Sequence, residues 1–135
     1  MSAQAPNSVT RYRPWLMGGH ILTYDQLIAF AHKLDPECPE EYRNDIINAF
    51  VTVRRVARKN KCILILSGSG GEFLSGDVIF ASRVRRYSKG REGQTDFPRF
   101  EKNARDEAAE KLLAKYGFTD LTYETRLSGI DPVNW

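Results

Sequence analysis

Residues 62–77 read CILILSGSGGEFLSGD. A five-residue apolar run enters a glycine-rich turn, and an aromatic residue and an acid follow closely. Such a turn can aim backbone N–H groups at an anion or at a developing oxyanion. It suits equally well the corner between two sheet strands. Two nucleotide loops are excluded by the residues themselves. A phosphate-cradling Walker loop needs Gly-Lys-Ser/Thr after four spacers, and no lysine stands between Gly68 and Val78. A dinucleotide fingerprint starting at Gly68 needs glycine at position 73, which is Phe73.

Clustered cations are the second source of chemistry. The net charge of the 135-residue chain is only +3, but it is unevenly spread. Lys and Arg gather from Arg54 to Lys61 and from Arg83 to Arg91, whereas acids gather from Glu37 to Asp45 and from Asp96 to Glu110. That asymmetry points to a basic face, which attracts phosphates over about 8–10 Å. The expected polyanion contacts are Arg83, Arg85, Arg86, Lys89, Arg91, Lys102 and Arg105. The cluster Arg54, Arg55, Arg58 and Lys59 has two accounts, cations suiting a helix C-terminus or a phosphate-binding patch.

Other reactive residues are sparse. His20 and His32 are the only histidines, without acids or cysteines at metal-ligand spacing, so no metal and no cofactor are expected. Ser67, Ser69 and Ser75 lack a nucleophile-elbow context. Glu37, Glu40 and Glu41 read as a solvated helix start. Cys38 and Cys62 read as free thiols in a reducing compartment. The N-terminal residues lack the apolar core of a signal peptide, and no run approaches the ~20 apolar residues of a membrane span. A cytoplasmic or nuclear location, away from membranes, is the expectation.

The elements that must position these residues follow from spacing. Residues 1–10 read as a disordered lead-in, 11–130 as one domain and 131–135 as a tail. WLMGGHIL, residues 15–22, suggests a tight hairpin or turn at Gly18-Gly19. Thr23 and Gln26 form a capping box, and Leu22 and Leu27 a hydrophobic staple, for a helix ending at Asp35-Pro36. A second helix is expected from Pro39, with Ile46, Ile47, Phe50, Val53 and Ala57 facing the core. Cys62 to Leu66 reads as a buried strand.

Val78 to Tyr87 suits a helix capped by Asp77 or a strand. Strand is preferred because β-branched and aromatic residues dominate its first half. It would place Val78, Phe80, Ser82 and Val84 on one face and Ile79, Ala81, Arg83 and Arg85 on the other. A third helix is expected over 98–116, with Phe100, Ala104, Ala108, Leu112 and Tyr116 in one stripe and Gly117 as its stop. Leu121 to Leu127 alternates as a last strand. The result is an α+β domain of order α-α-β-β-α-β, with helices on a small, mainly antiparallel sheet.

Two segments resemble known families. In the crotonase family, the enoyl-CoA hydratase/isomerase class, a helix precedes a strand ending in Thr/Ser-Gly-x-Gly, and an aromatic and a small-small-Gly turn follow. Residues 48–61 followed by ILILSGSGG resemble the first part, and Phe73-Leu74-Ser75-Gly76-Asp77 the second. The resemblance implies an acyl-CoA thioester enzyme, or a remnant of one, with an oxyanion hole at Gly76 and Asp77 that uses the Asp77 N–H. This chain has Val78 where the family's acid usually lies, and the family fold is about twice as long. KNARDEAAEKLL, residues 102–113, is similar to the final helix of double-stranded-RNA-binding domains. Ala104, Arg105, Ala108, Ala109 and Leu113 are in register, which implies phosphate contacts from Lys102 and Arg105. Glu101 stands where that family has its first lysine, and the Pro-His minor-groove element is absent from the loop at 68–76.

The residues favour a small intracellular module that binds rather than catalyses, with RNA or another polyanion as partner. A protein–protein adaptor using exposed Trp15 or Trp135 is the other non-catalytic reading. For the enzyme reading, an acyl-CoA thioester must raise the melting temperature and be turned over; an unshifted melting curve removes that reading.

Overall fold

A computed structural model describes residues 14–66, 77–91 and 94–128 of the chain. The loop at 67–76, including Gly76 and most of the glycine-rich turn, lies outside the described residues, as do the expected lead-in and tail.

Strand β1, Trp15–Thr23, comes first. It leads directly into helix α1, Tyr24–Leu34, through the capping box expected at Thr23 and Gln26. The Thr23 N–H donates to the Gln26 side chain at 2.9 Å, and the Gln26 N–H donates to the Thr23 hydroxyl at 3.1 Å. Leu22 and Leu27 are both fully buried in one cluster, as a staple requires. A short 3-10 turn, Glu40–Tyr42, follows. Helix α2 then runs over Ile46–Lys59. It starts later than Pro39 because Asp45 caps it, accepting from the Ile47 N–H at 3.0 Å. Ala49, Phe50, Val53 and Ala57 form its buried stripe, whereas Ile47 remains exposed.

Strands β2, Ile63–Leu66, and β3, Asp77–Arg86, come next. Helix α3, Ala104–Lys115, and strand β4, Tyr123–Ser128, close the chain. The expected α-α-β-β-α-β order is therefore present, preceded by a strand. The four strands form one antiparallel sheet in the order β2-β3-β1-β4. Gly18 and Gly19 make no turn. They lie within the ladder, Gly18 opposite Arg83 and Thr125, Gly19 opposite Ala81 and Glu124. A Cβ on Gly19 would come within 2.2 Å of the Phe80 carbonyl oxygen, so only glycine admits this approach.

The principal core lies between the sheet and the helices. It joins Leu22, Leu64, Val78 and Phe80 to Phe30, Val53, Ala57, Ala109 and Leu113. Full burial of each large side chain contributes about 1.5–3 kcal/mol. Met17, Ile65, Ile79 and Ala81 form a second cluster on the opposite sheet face. At the far end, Phe30 packs against Tyr116 and Phe118 with ring centroids 5.1 and 5.3 Å apart, tying α1 to the end of α3.

Both α2 and α3 end in the same hydrogen-bonded cap. After α3, the Phe118 N–H donates to the Leu113 carbonyl and the Gly117 N–H to the Ala114 carbonyl. Gly117 has φ +96°, the left-handed conformation this cap demands. After α2, the Cys62 N–H donates to the Ala57 carbonyl and the Lys61 N–H to the Arg58 carbonyl. Here the left-handed position, φ 58°, is held by Lys61. A side chain there costs about 1–2 kcal/mol relative to glycine. Urea denaturation is expected to show Lys61→Gly more stable than the parent by about 1 kcal/mol and Gly117→Ala less stable by about 1 kcal/mol. Equal effects at the two caps would mean that the strain is not stored at Lys61.

Candidate functional site

The polar site grows from an irregularity in the ladder. Gly18 pairs with Arg83 but Gly19 pairs with Ala81, so β3 holds one extra residue, Ser82, at a bulge. The bulge overturns the simple alternation expected for β3. Val84 joins Ile79 and Ala81 in the second cluster, whereas Arg83 is directed toward α3.

There it meets Asp106, which is fully buried. An Arg83 guanidinium nitrogen lies 2.8 Å from one Asp106 oxygen. That oxygen also accepts from the Asn103 backbone N–H at 2.8 Å. The other accepts from the Ser82 hydroxyl. Arg83 donates further to the Tyr123 hydroxyl at 3.1 Å and to the Glu101 carbonyl. Burial pushes the Asp106 carboxyl up. Hydrogen bonds from Ser82, Asn103 and Tyr123, with the charge of Arg83, outweigh that and hold it below its ordinary value. Tyr123 is raised by desolvation and by the adjacent Asp106, against the lowering influence of Arg83.

Asp106 is also the third residue of α3 and forms a reciprocal capping box with Asn103. The buried side of α3 therefore runs through Asp106, Ala109 and Leu113. It does not follow the expected stripe, since Ala104 and Ala108 are exposed. The helix begins at Ala104 rather than at Pro98 because Asn103 supplies the cap. Residues 94–103 instead carry no regular secondary structure and pack against β4 and β1 through Arg99 and Phe100. Phe100 donates its N–H to the Thr125 hydroxyl at 2.8 Å, and its ring sits over Gly18, where a Cβ would come within 2.6 Å.

A second group adjoins this network. His20 is buried, its Nε2 3.0 Å from a Glu110 oxygen that also accepts from Lys102 at 2.5 Å. The His20 and Tyr123 rings meet edge to face at 5.4 Å. Hydrogen bonds from Lys102 and His20 lower the Glu110 carboxyl.

The expected polyanion contacts thus divide. Arg83 is held by Asp106, Lys102 by Glu110, and Arg105 donates to the Lys61 carbonyl at 3.2 Å. Arg85, Arg86, Lys89 and Arg91 are exposed, and among the described residues none of the four has a carboxylate within 4.0 Å. Two of them rest on aromatic rings. Arg85 lies 5.5 Å from the Phe100 centroid, a ring shared with Arg83 at 4.5 Å, and Arg86 lies 5.3 Å from that of Trp15. Trp15 itself is half-buried. Arg99, not foreseen from charge clustering, stacks at 4.1 Å on Phe97. The Tyr87 N–H donates to the Pro14 carbonyl and the Gly90 N–H to the Tyr87 carbonyl, fixing the turn that carries Lys89.

Asp77, the described half of the expected oxyanion site, opens β3 opposite Thr23. Its carboxylate accepts from two Arg126 guanidinium nitrogens at 3.0 and 3.4 Å. Gly76 lies outside the described residues.

No protein-family model, no curated protein and no solved structure matches this chain.

Removing the Asp106 carboxylate would strand Arg83 and Ser82. Asp106→Ala is expected to cost about 3 kcal/mol in urea denaturation. The pH dependence has a definite sign. The folded pKa lies below the unfolded one, so the unfolded chain binds the proton first. The contribution is complete above about pH 4 and drains as pH falls through the lowered folded value. The acid limb of stability should flatten in Asp106→Asn. An unchanged limb would show that the carboxylate contributes nothing as a charge.

Proposed function

We propose that this domain binds a nucleic-acid backbone, RNA foremost, through Arg85, Arg86, Lys89 and Arg91. The observation that carries this reading is the pairing of exposed, carboxylate-free arginines with aromatic rings, Arg85 on Phe100 and Arg86 on Trp15. Stacking restrains the guanidinium fork before a ligand arrives, so less rotamer entropy is lost on contact. Phosphates would be met by the cations, while the edges of Phe100 and Trp15 offer apolar surface to unstacked bases. Arg83 has a supporting part, because its bond to Asp106 fixes the strand end that presents its neighbours.

The test is fluorescence anisotropy with a labelled RNA oligonucleotide, single-stranded and duplex in separate arms, across a salt series. Four phosphate contacts predict a log–log slope of about −3 to −4. Arg85→Glu with Arg86→Glu should weaken binding at least about tenfold at low salt, with the melting temperature nearly unchanged. Undetectable binding at low salt, or affinity unaltered by the double reversal, overturns the proposal.

A further inference from the structure

Where α2 ends and α3 passes over the sheet, the described residues line a half-open pocket of about 360 Å³. Its lining sorts into two kinds. Lys61 and Arg105 bring positive charge, whereas Cys62, Ala108, Ala109 and Leu112 form an apolar wall, and Asn60 and Ser82 complete the lining. Arg105 donates to the Lys61 carbonyl, which holds the two cationic residues side by side. The Lys61 ammonium has no hydrogen bond or ion pair among the described residues. Burial pushes the Cys62 thiol up to about 11, a rise that Arg105 moderates and Asp106 reinforces, so the thiol is neutral at physiological pH. Asp106, the nearest buried carboxylate, is already neutralised by Arg83. The wall therefore presents no uncompensated negative charge from these groups.

Lys61 occupies this position at a conformational cost. It stands in the left-handed residue of a helix cap, where the equivalent position after α3 is glycine. Strain retained in the backbone beside a cavity points to a use for the side chain that glycine lacks.

We propose that this cavity binds a small amphipathic organic anion, a carboxylate on a compact apolar body. The carboxylate would pair with Lys61 and Arg105, and the body would lie against Ala108 and Leu112. A cavity of this size is at the lower end of the range for small-ligand sites. The arginine fork suits a carboxylate, and apolar contact would distinguish the ligand from a simple inorganic ion. This site is separate from the RNA-binding surface and does not rest on it.

The experiment is an amide chemical-shift titration of the full chain with sodium benzoate at constant ionic strength. Inorganic phosphate and benzyl alcohol serve as charge-only and ring-only probes. Saturable shifts at Cys62, Arg105 and Ala109 are expected with benzoate and not with either control. Lys61→Gly should weaken benzoate at least about fivefold while keeping or raising the melting temperature, and Lys61→Arg should retain it. Ala108→Leu, which fills the apolar wall without altering charge, should weaken it as well. Equal shifts with phosphate, benzoate binding unchanged in Lys61→Gly, or shifts confined to Arg85–Arg91 would each overturn the proposal.

Discussion

A carboxylate at the seam between a helix and a sheet is tolerable only if its charge is matched and its oxygens are hydrogen-bonded. Asp106 meets both demands through groups that arrive from separate parts of the chain. Arg83 and Ser82 come from β3, the Asn103 N–H from the start of its own helix. The rest of the polar architecture depends on this. It orients α3 over the sheet, holds Arg83 away from solvent and brings Tyr123 beside it. Few apolar side chains bury α3, chiefly Ala109 and Leu113. A directional ionic anchor therefore has more to do here than in α1 or α2, whose apolar stripes meet the core directly.

The bulge in β3 makes that anchor possible. In a regular strand, successive side chains alternate, so Ser82 and Arg83 would face opposite sides. One extra residue brings both within reach of Asp106, and the ladder resumes with Val84 in the apolar cluster of the other face. The glycine pair in β1 is the counterpart. Gly19 lets the β3 backbone approach closely, and Gly18 leaves room for Phe100 and Tyr123.

Charge counting alone treats the cations as equivalent, and packing divides them into distinct roles. Arg83 is structural, Lys102 balances Glu110, and Arg105 joins Lys61 beside the cavity. Arg85 and Arg86 keep their charge in solvent while resting on aromatic rings. A stacked, carboxylate-free guanidinium is better suited to meet a phosphate than one already engaged with an acid.

Much of the fold was legible in local sequence. The Thr23–Gln26 box, the staple of Leu22 and Leu27, the stop at Gly117 and the α+β order all depend on residues a few positions apart. Their physics is local: caps satisfy helix-end N–H groups, and apolar periodicity selects a face. The Asn103–Asp106 spacing was a readable cap as well, although expecting α3 to begin at Pro98 obscured it. By itself, the sequence determined which segments other than β1 become helices or strands, where the helices stop, and that basic residues cluster. Only the tertiary structure decided that Gly18-Gly19 lies within a strand, that Ser82 is bulged, and that Asp106 is buried against Arg83. Those outcomes depend on partners far away in the chain, and register and charge pairing exist only once such partners have met.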